Sequence, residues 1–159
     1  DLTYKRIEEG YIITNGTAFS PDNKKIYYTD TIKGQIYVSK TSKDGLIKEK
    51  NFFISIPPSR GKPDGMTVDK KGNLWVAIFG GSCVDCYDSL GKKIDEIKLP
   101  VSCVTSCTFG GRDLNTLFIT TASFKLNKQE KIDQPLAGAL FSINLDTKGN
   151  KTSKFIYYG

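Results

Sequence analysis

Three stretches of the chain can be laid on one another: NGTAFSPDNKKIYYTDTIKGQIYVSKT (residues 15–41), DGMTVDKKGNLWVAIFGGSCVDCYDS (64–89) and TSCTFGGRDLNTLFITTAS (105–123), the last continued by GALFSINLD (138–146). Each opens on a short strand-like run and passes a polar Gly/Asp/Asn turn. An aromatic-rich run follows, then a third run that ends in polar residues. Asn15, Asp64 and Thr105 hold equivalent places, 49 and 41 residues apart. A period of roughly 40–50 residues with four strands per unit is the signature of a β-propeller, so the fold class expected is all-β.

Candidate strands cover about 25–30, 35–40, 51–56, 65–69, 73–79, 82–88, 93–99, 105–109, 115–121, 138–144 and 153–158. Their alternation is partial, as expected of strands buried on both faces. The third unit carries a polar, lysine-rich insertion from about Ser123 to Pro135, which reads as a surface loop. The opening DLTYKRIEEG reads as the last strand of a preceding unit. Three units do not close a ring, because propellers have about 4–8 blades and closure protects their strand edges. Part of a longer propeller is the simpler expectation, and assembly of several copies the other.

The chain has 159 residues, 23 basic and 17 acidic, a net charge of +6 and no histidine. Without histidine it cannot supply a Ser-His-Asp or Cys-His pair, an imidazole zinc ligand or an imidazole proton shuttle. The lysines are scattered beside Gly, Asn and Asp in turns, and arginine occurs only as Arg6, Arg60 and Arg112. That is not the clustered, aromatic-interleaved pattern of a nucleic-acid surface, so no nucleic-acid partner is expected. No apolar run approaches the roughly 20 residues of a membrane span, so no membrane partner is expected either.

Cys83, Cys86, Cys103 and Cys107 follow C-x2-C and C-x3-C spacing, which on count alone suggests a zinc ribbon. Cys83 and Cys86 sit in the strand-like SCVDCYD, however, where residues three apart face opposite ways and no Gly or Pro supplies a knuckle. Buried free thiols are expected instead, which favours a reducing compartment and a cytoplasmic location.

In a propeller the first strand of each blade lines the central channel, so Asn15, Asp64 and Thr105 converge near the axis. An Asn carbonyl and an Asp carboxylate are hard oxygen donors suited to calcium, magnesium or manganese. Two donors do not complete a metal site. Asn-Gly and Asp-Gly are also the commonest hairpin-turn pairs, and both readings stay open on pattern alone. The small neighbours Gly16, Gly65 and Ser106 are expected to let backbone and polar group approach a ligand closely. Trp75, Tyr27 and Tyr28 are expected in inter-blade packing. Phe79, at a strand end before Gly80-Gly81, is placed to face a ligand. Asn15-Gly16-Thr17 and Asn150-Lys151-Thr152 match glycosylation sequons, but in a reducing compartment they are not expected to carry sugar.

The runs NGTAFSPDNKKIYYTDT, PDGMTVDKKGNLWVA, LPVSCVTSCTFGG, LFITTAS and QPLAGALF, in this order and over nearly the whole chain, resemble the regucalcin (senescence marker protein)/gluconolactonase/luciferin-regenerating family. The resemblance implies a six-bladed propeller of about twice this length, with about three blades here. Residues 1–159 are then its C-terminal half, closed by missing N-terminal blades or another chain. It implies one divalent cation at the channel mouth, whether calcium, zinc, magnesium or manganese, held by a Glu, an Asn and an Asp. By motif the Asn is Asn15, and the Asp, also the catalytic base, is Asp64. The family's Glu ligand and its sugar-gripping Arg and Asn would precede Asp1, and Glu8 and Glu9 are in the wrong motif to replace the Glu. The function implied is hydrolysis of a sugar lactone to the aldonic acid by the full-length protein, with this chain alone inactive. A non-enzymatic calcium-binding regulator and an interaction platform are the alternatives.

Overall fold

The computed structural model describes residues 4–42 and 47–151. It contains three antiparallel sheets in chain order. The first comprises β1 (Thr14–Phe19), β2 (Lys25–Asp30), β3 (Gln35–Thr41) and β4 (Ile47–Ser55); the second β5 (Lys62–Val68), β6 (Leu74–Phe79), β7 (Cys83–Tyr87) and β8 (Lys93–Lys98); the third β9 (Val104–Gly110), β10 (Thr116–Thr121) and β11 (Leu140–Asn144). Every strand pairs with its neighbour in sequence, so each sheet is a meander. The first strands β1, β5 and β9 lie side by side across the three sheets. This is a propeller-like, all-β arrangement.

The second sheet shows why alternation was incomplete in the sequence. Leu74, Val76, Ile78 and Cys83 enter a core shared with Ala18, Tyr27, Ile36 and Ile54 of the first sheet. Trp75, Ala77, Val84 and Cys86 enter a second core with Val104, Cys107, Leu117 and Ile119 of the third. With apolar partners on both sides, every residue of β6 up to Ile78 is buried. All four cysteines are buried, and Cys83 and Cys86 face different cores, as strand geometry requires. Burial pushes the thiols of Cys83, Cys86 and Cys107 up, to about 11 for the first and about 12 for the other two. Trp75 meets Phe109 of the third sheet edge-on at 6.2 Å, and Tyr27, beside Phe53 of its own sheet at 5.1 Å, enters the core shared with the second sheet, so both lie between sheets. Tyr28 faces the opposite side of the first sheet, stacked on Tyr37 and bonded to Ser39.

Three expectations change. β1 was absent from the candidate strands, although the repeat placed Asn15 at its start; its short Thr14–Phe19 run is half-exposed and lacks an apolar stripe. Residues 4–10, rich in charge and exposed throughout, form no strand; Tyr11, which follows them, covers Tyr28 and Tyr37 edge-on. The insertion is not wholly loop: Lys128–Asp133 forms a short helix, α1, opened by a capping box between Asn127 and Glu130. Gln134 then accepts a hydrogen bond from the Ser102 N–H at 2.6 Å, anchoring the insertion to the second-to-third sheet connection. The strand expected over 153–158 lies outside the described residues.

Candidate functional site

The three inner strands share a device that the repeat alone does not reveal. In β1 the pairing passes from Asn15↔Thr29 to Thr17↔Tyr28, leaving Gly16 as the extra residue. In β5 it jumps from Pro63↔Ile78 to Met66↔Val76, so Asp64 and Gly65 together oppose Ala77. In β9 it moves from Val104↔Thr121 to Ser106↔Thr120, leaving Thr105 unpaired. Each is a β-bulge, which bends the strand and re-aims the side chain beside it. The bulges fall at Asn15, Asp64 and Thr105, the positions the repeat singled out.

All three side chains line one cavity of about 500 Å³. Asn15 Nδ2 donates a short hydrogen bond to Asp64 Oδ1, and Asn15 Oδ1 accepts the Gly16 N–H at 2.8 Å. Burial raises the Asp64 carboxyl above its ordinary 3.8, opposed by the hydrogen bonds from Asn15 and the Gly65 N–H. Thr105 shares a hydroxyl hydrogen bond of 2.7 Å with Thr120 on the neighbouring strand. The cavity's lining comes from one end of the sheets: the starts of the inner strands, the β4–β5 connection, and the turns after β2, β6 and β10.

The Asp64 carboxylate and the Asn15 amide oxygen, which also accepts the Gly16 N–H, are oxygen donors of the kind a hard divalent cation takes, on side chains linked through the Asn15 amide N–H. They fit two positions of such a site; no second carboxylate lines the cavity among the described residues. Elsewhere, Cys83, Asp85 and Glu96 bring ligand-type atoms within 4.8 Å of one another. That group does not fit a cation, because Arg60 and Lys93 already occupy it. Arg60 binds both carboxylate oxygens of Asp85, at 2.9 and 2.5 Å, and also reaches Glu96. Lys93 lies 2.8 Å from Asp85 and also contacts Glu96. It is an ion-pair cluster holding the outer strands of the second sheet.

Phe79 lines the cavity, as its position suggested, and faces Phe124 with ring centres 6.5 Å apart. Phe124, Lys125 and Lys62 are cavity residues that sequence reasoning missed. Phe124 and Lys125 begin the insertion, which has no counterpart in the other two units, so the repeat could not register them. Lys62 precedes Asp64 by two residues on a strand, and that spacing alone could have placed it on the same side.

The family model described as the SMP-30/gluconolactonase/LRE-like region matches residues 1–123. A Bacillus subtilis protein, YvrE, whose name assigns it provisionally to the sugar lactone lactonases, is 40% identical over 98% of this chain and 54% of its own length. A pentonolactonase of Haloferax volcanii, XacC, is 34% identical over 94% of this chain and 53% of its own. Among solved structures, a calcium-binding protein, regucalcin, from Agrobacterium tumefaciens superposes with a TM-score of 0.84 at 29% identity, over 88% of this chain and 48% of that one. The chain thus spans about half the length of the relatives it matches. On the family match and these likenesses, the chain belongs to the SMP-30/gluconolactonase/LRE-like family.

Proposed function

We propose that this chain is the C-terminal half of a six-bladed propeller that hydrolyses a sugar lactone to its aldonic acid, with a divalent cation held by Asn15 and Asp64. The observation that carries the reading is the direct contact of Asn15 with Asp64, 49 residues apart, on a cavity in a chain related to named lactonases. The cation, when bound, supplies Lewis-acid polarisation of the ester carbonyl. The third donor belongs to the blades outside this chain. Four buried thiols fit a reducing compartment, the cytoplasm.

Within this reading Asp64 is the base. Its carboxylate takes a proton from the water that attacks the lactone carbonyl carbon. The ring C–O bond breaks, the ring oxygen takes the proton held by Asp64 and leaves as a hydroxyl, and the carbonyl carbon becomes the acid, which loses its own proton to solvent and ends as the carboxylate. Asn15 fixes the orientation of Asp64 through its amide, and the bulge at each residue sets both side chains toward the cavity. Carboxylate chemistry of this kind needs no imidazole, consistent with a chain that has none.

Asp64→Ala in the whole protein is expected to abolish lactone hydrolysis, a loss of about a thousandfold or more, while far-ultraviolet circular dichroism and the melting transition persist. Activity near wild type in that variant removes Asp64 from the role. The likeness to a structure described as a calcium-binding protein favours a second reading, a calcium-binding propeller without turnover. Cation affinity in a protein that hydrolyses no lactone would select it.

A further inference from the structure

Two ammonium groups share the cavity with Asp64. Lys62 stands two residues before Asp64 on β5 and opposite Phe79 in the ladder to β6. Lys125 lies in the turn after β10, its Nζ 5.8 Å from the ring centres of both Phe79 and Phe124. Among the described residues neither lysine has a carboxylate within 4.0 Å, whereas Lys33, Lys40, Lys50 and Lys93 do. Among the described residues Asp64 is the only carboxylate on the lining, and it accepts hydrogen bonds from Asn15 and the Gly65 N–H. The cavity therefore carries more positive than negative charge before any cation enters it. Phe124 is 73% exposed on its rim, an aromatic face turned to solvent where a ligand would pass.

We propose that this cavity selects lactones carrying a negative charge remote from the ring ester, a carboxylate or a phosphate, with Lys62 and Lys125 holding that charge and Phe79 and Phe124 bearing on the apolar face of the ring. The inference rests on the lactonase reading and names its substrate class. A remote anion gains from both lysines without competing for the reaction centre. A neutral lactone of the same ring leaves both ammonium groups unpaired. Lysine offers a point charge on a flexible stem, so the arrangement suits carboxylate and phosphate alike.

The test uses the whole protein and three lactones of one ring size: D-glucono-1,5-lactone, D-glucaro-1,5-lactone and 6-phospho-D-glucono-1,5-lactone. At least one anionic lactone is expected to exceed the neutral one in kcat/KM by about tenfold, and the two anionic arms tell carboxylate from phosphate. In a Lys62→Met/Lys125→Met double variant, which keeps the apolar stems, that ratio is expected to fall about tenfold, chiefly through KM; raised salt should narrow it in the wild type. A ratio near one, or the same ratio in the double variant, overturns the inference and leaves the lactonase reading intact. If none of the three is hydrolysed, the lactonase reading fails, and calorimetric titration with glucarate, 6-phosphogluconate and gluconate decides the inference separately. Tighter binding of glucarate or 6-phosphogluconate than of gluconate, lost in the double variant, sustains an anion-selective cavity; equal binding of all three overturns it.

Discussion

Gly16 and Gly65, which follow the two polar residues of the site, serve the neighbouring strands. A Cβ on Gly16 would come within 2.7 Å of the Asp64 carbonyl oxygen, and one on Gly65 within 2.5 Å of the Ser106 Cβ and still closer to its hydroxyl. Their smallness lets β1, β5 and β9 approach one another, so Asn15 can reach Asp64 at all. Beside the expectation that small neighbours admit a ligand stands this second role, a close approach of strand to strand. Gly65→Ala should cost about 1–3 kcal/mol in chemical denaturation, the usual scale of overpacking. Combining it with Ser106→Gly, which removes the nearest atoms, should recover part of that loss. Simple additivity of the two substitutions would contradict the contact.

At the level of elements, Asp85 shows how buried charge is managed in β7. Burial alone would raise its carboxyl, but the Arg60 guanidinium and the Lys93 ammonium hold it below the ordinary 3.8. A carboxylate lowered in the folded state contributes stability that is fully present above its unfolded value and lost as pH falls through the folded one. Urea midpoints measured from about pH 5 down to about pH 3 should therefore fall, and fall less steeply in Asp85→Asn. At neutral pH that substitution should cost about 1–3 kcal/mol, less than a fully buried pair, because about a third of Arg60 and of Lys93 is open to solvent. Most strands were legible because β6, β7 and β10 are rich in apolar, β-branched and aromatic residues bounded by turn residues. β1 was legible only through the repeat, since its own burial pattern carries no stripe. The bulges were not legible: they are pairing irregularities, and pairing is a property of two strands. α1 carried its signal openly in Asn127-x-x-Glu130, and the lysine-rich polarity around it obscured the motif.

At the scale of the whole molecule, two cores lie between three sheets, and among the described residues no sheet lies against the two outer faces. On the first sheet Tyr28 and Tyr37 take Tyr11 as cover, with Lys50 4.4 and 4.3 Å from the Tyr11 and Tyr37 ring centres. On the third, Phe118 and Leu140 lie on the face opposite Leu117, Ile119 and Phe141, and Leu140 is 65% exposed. In the six-bladed reading proposed above, further blades would pack on these faces, and a chain that includes them is expected to melt at a higher temperature than this one. The site was partly legible for the same reason the fold was: repetition brings equivalent positions to one axis, so Asn15, Asp64 and Thr105 could be named together. Phe124 and Lys125, coming from an insertion, could not. The central claim is that the Asn15–Asp64 pair forms the reaction centre. It is tested most directly by titrating the whole protein with divalent cations and assaying lactone hydrolysis on the same samples. Binding of one cation, lost together with hydrolysis in both Asn15→Ala and Asp64→Ala, is the predicted result; cation affinity and turnover that survive both substitutions would contradict it.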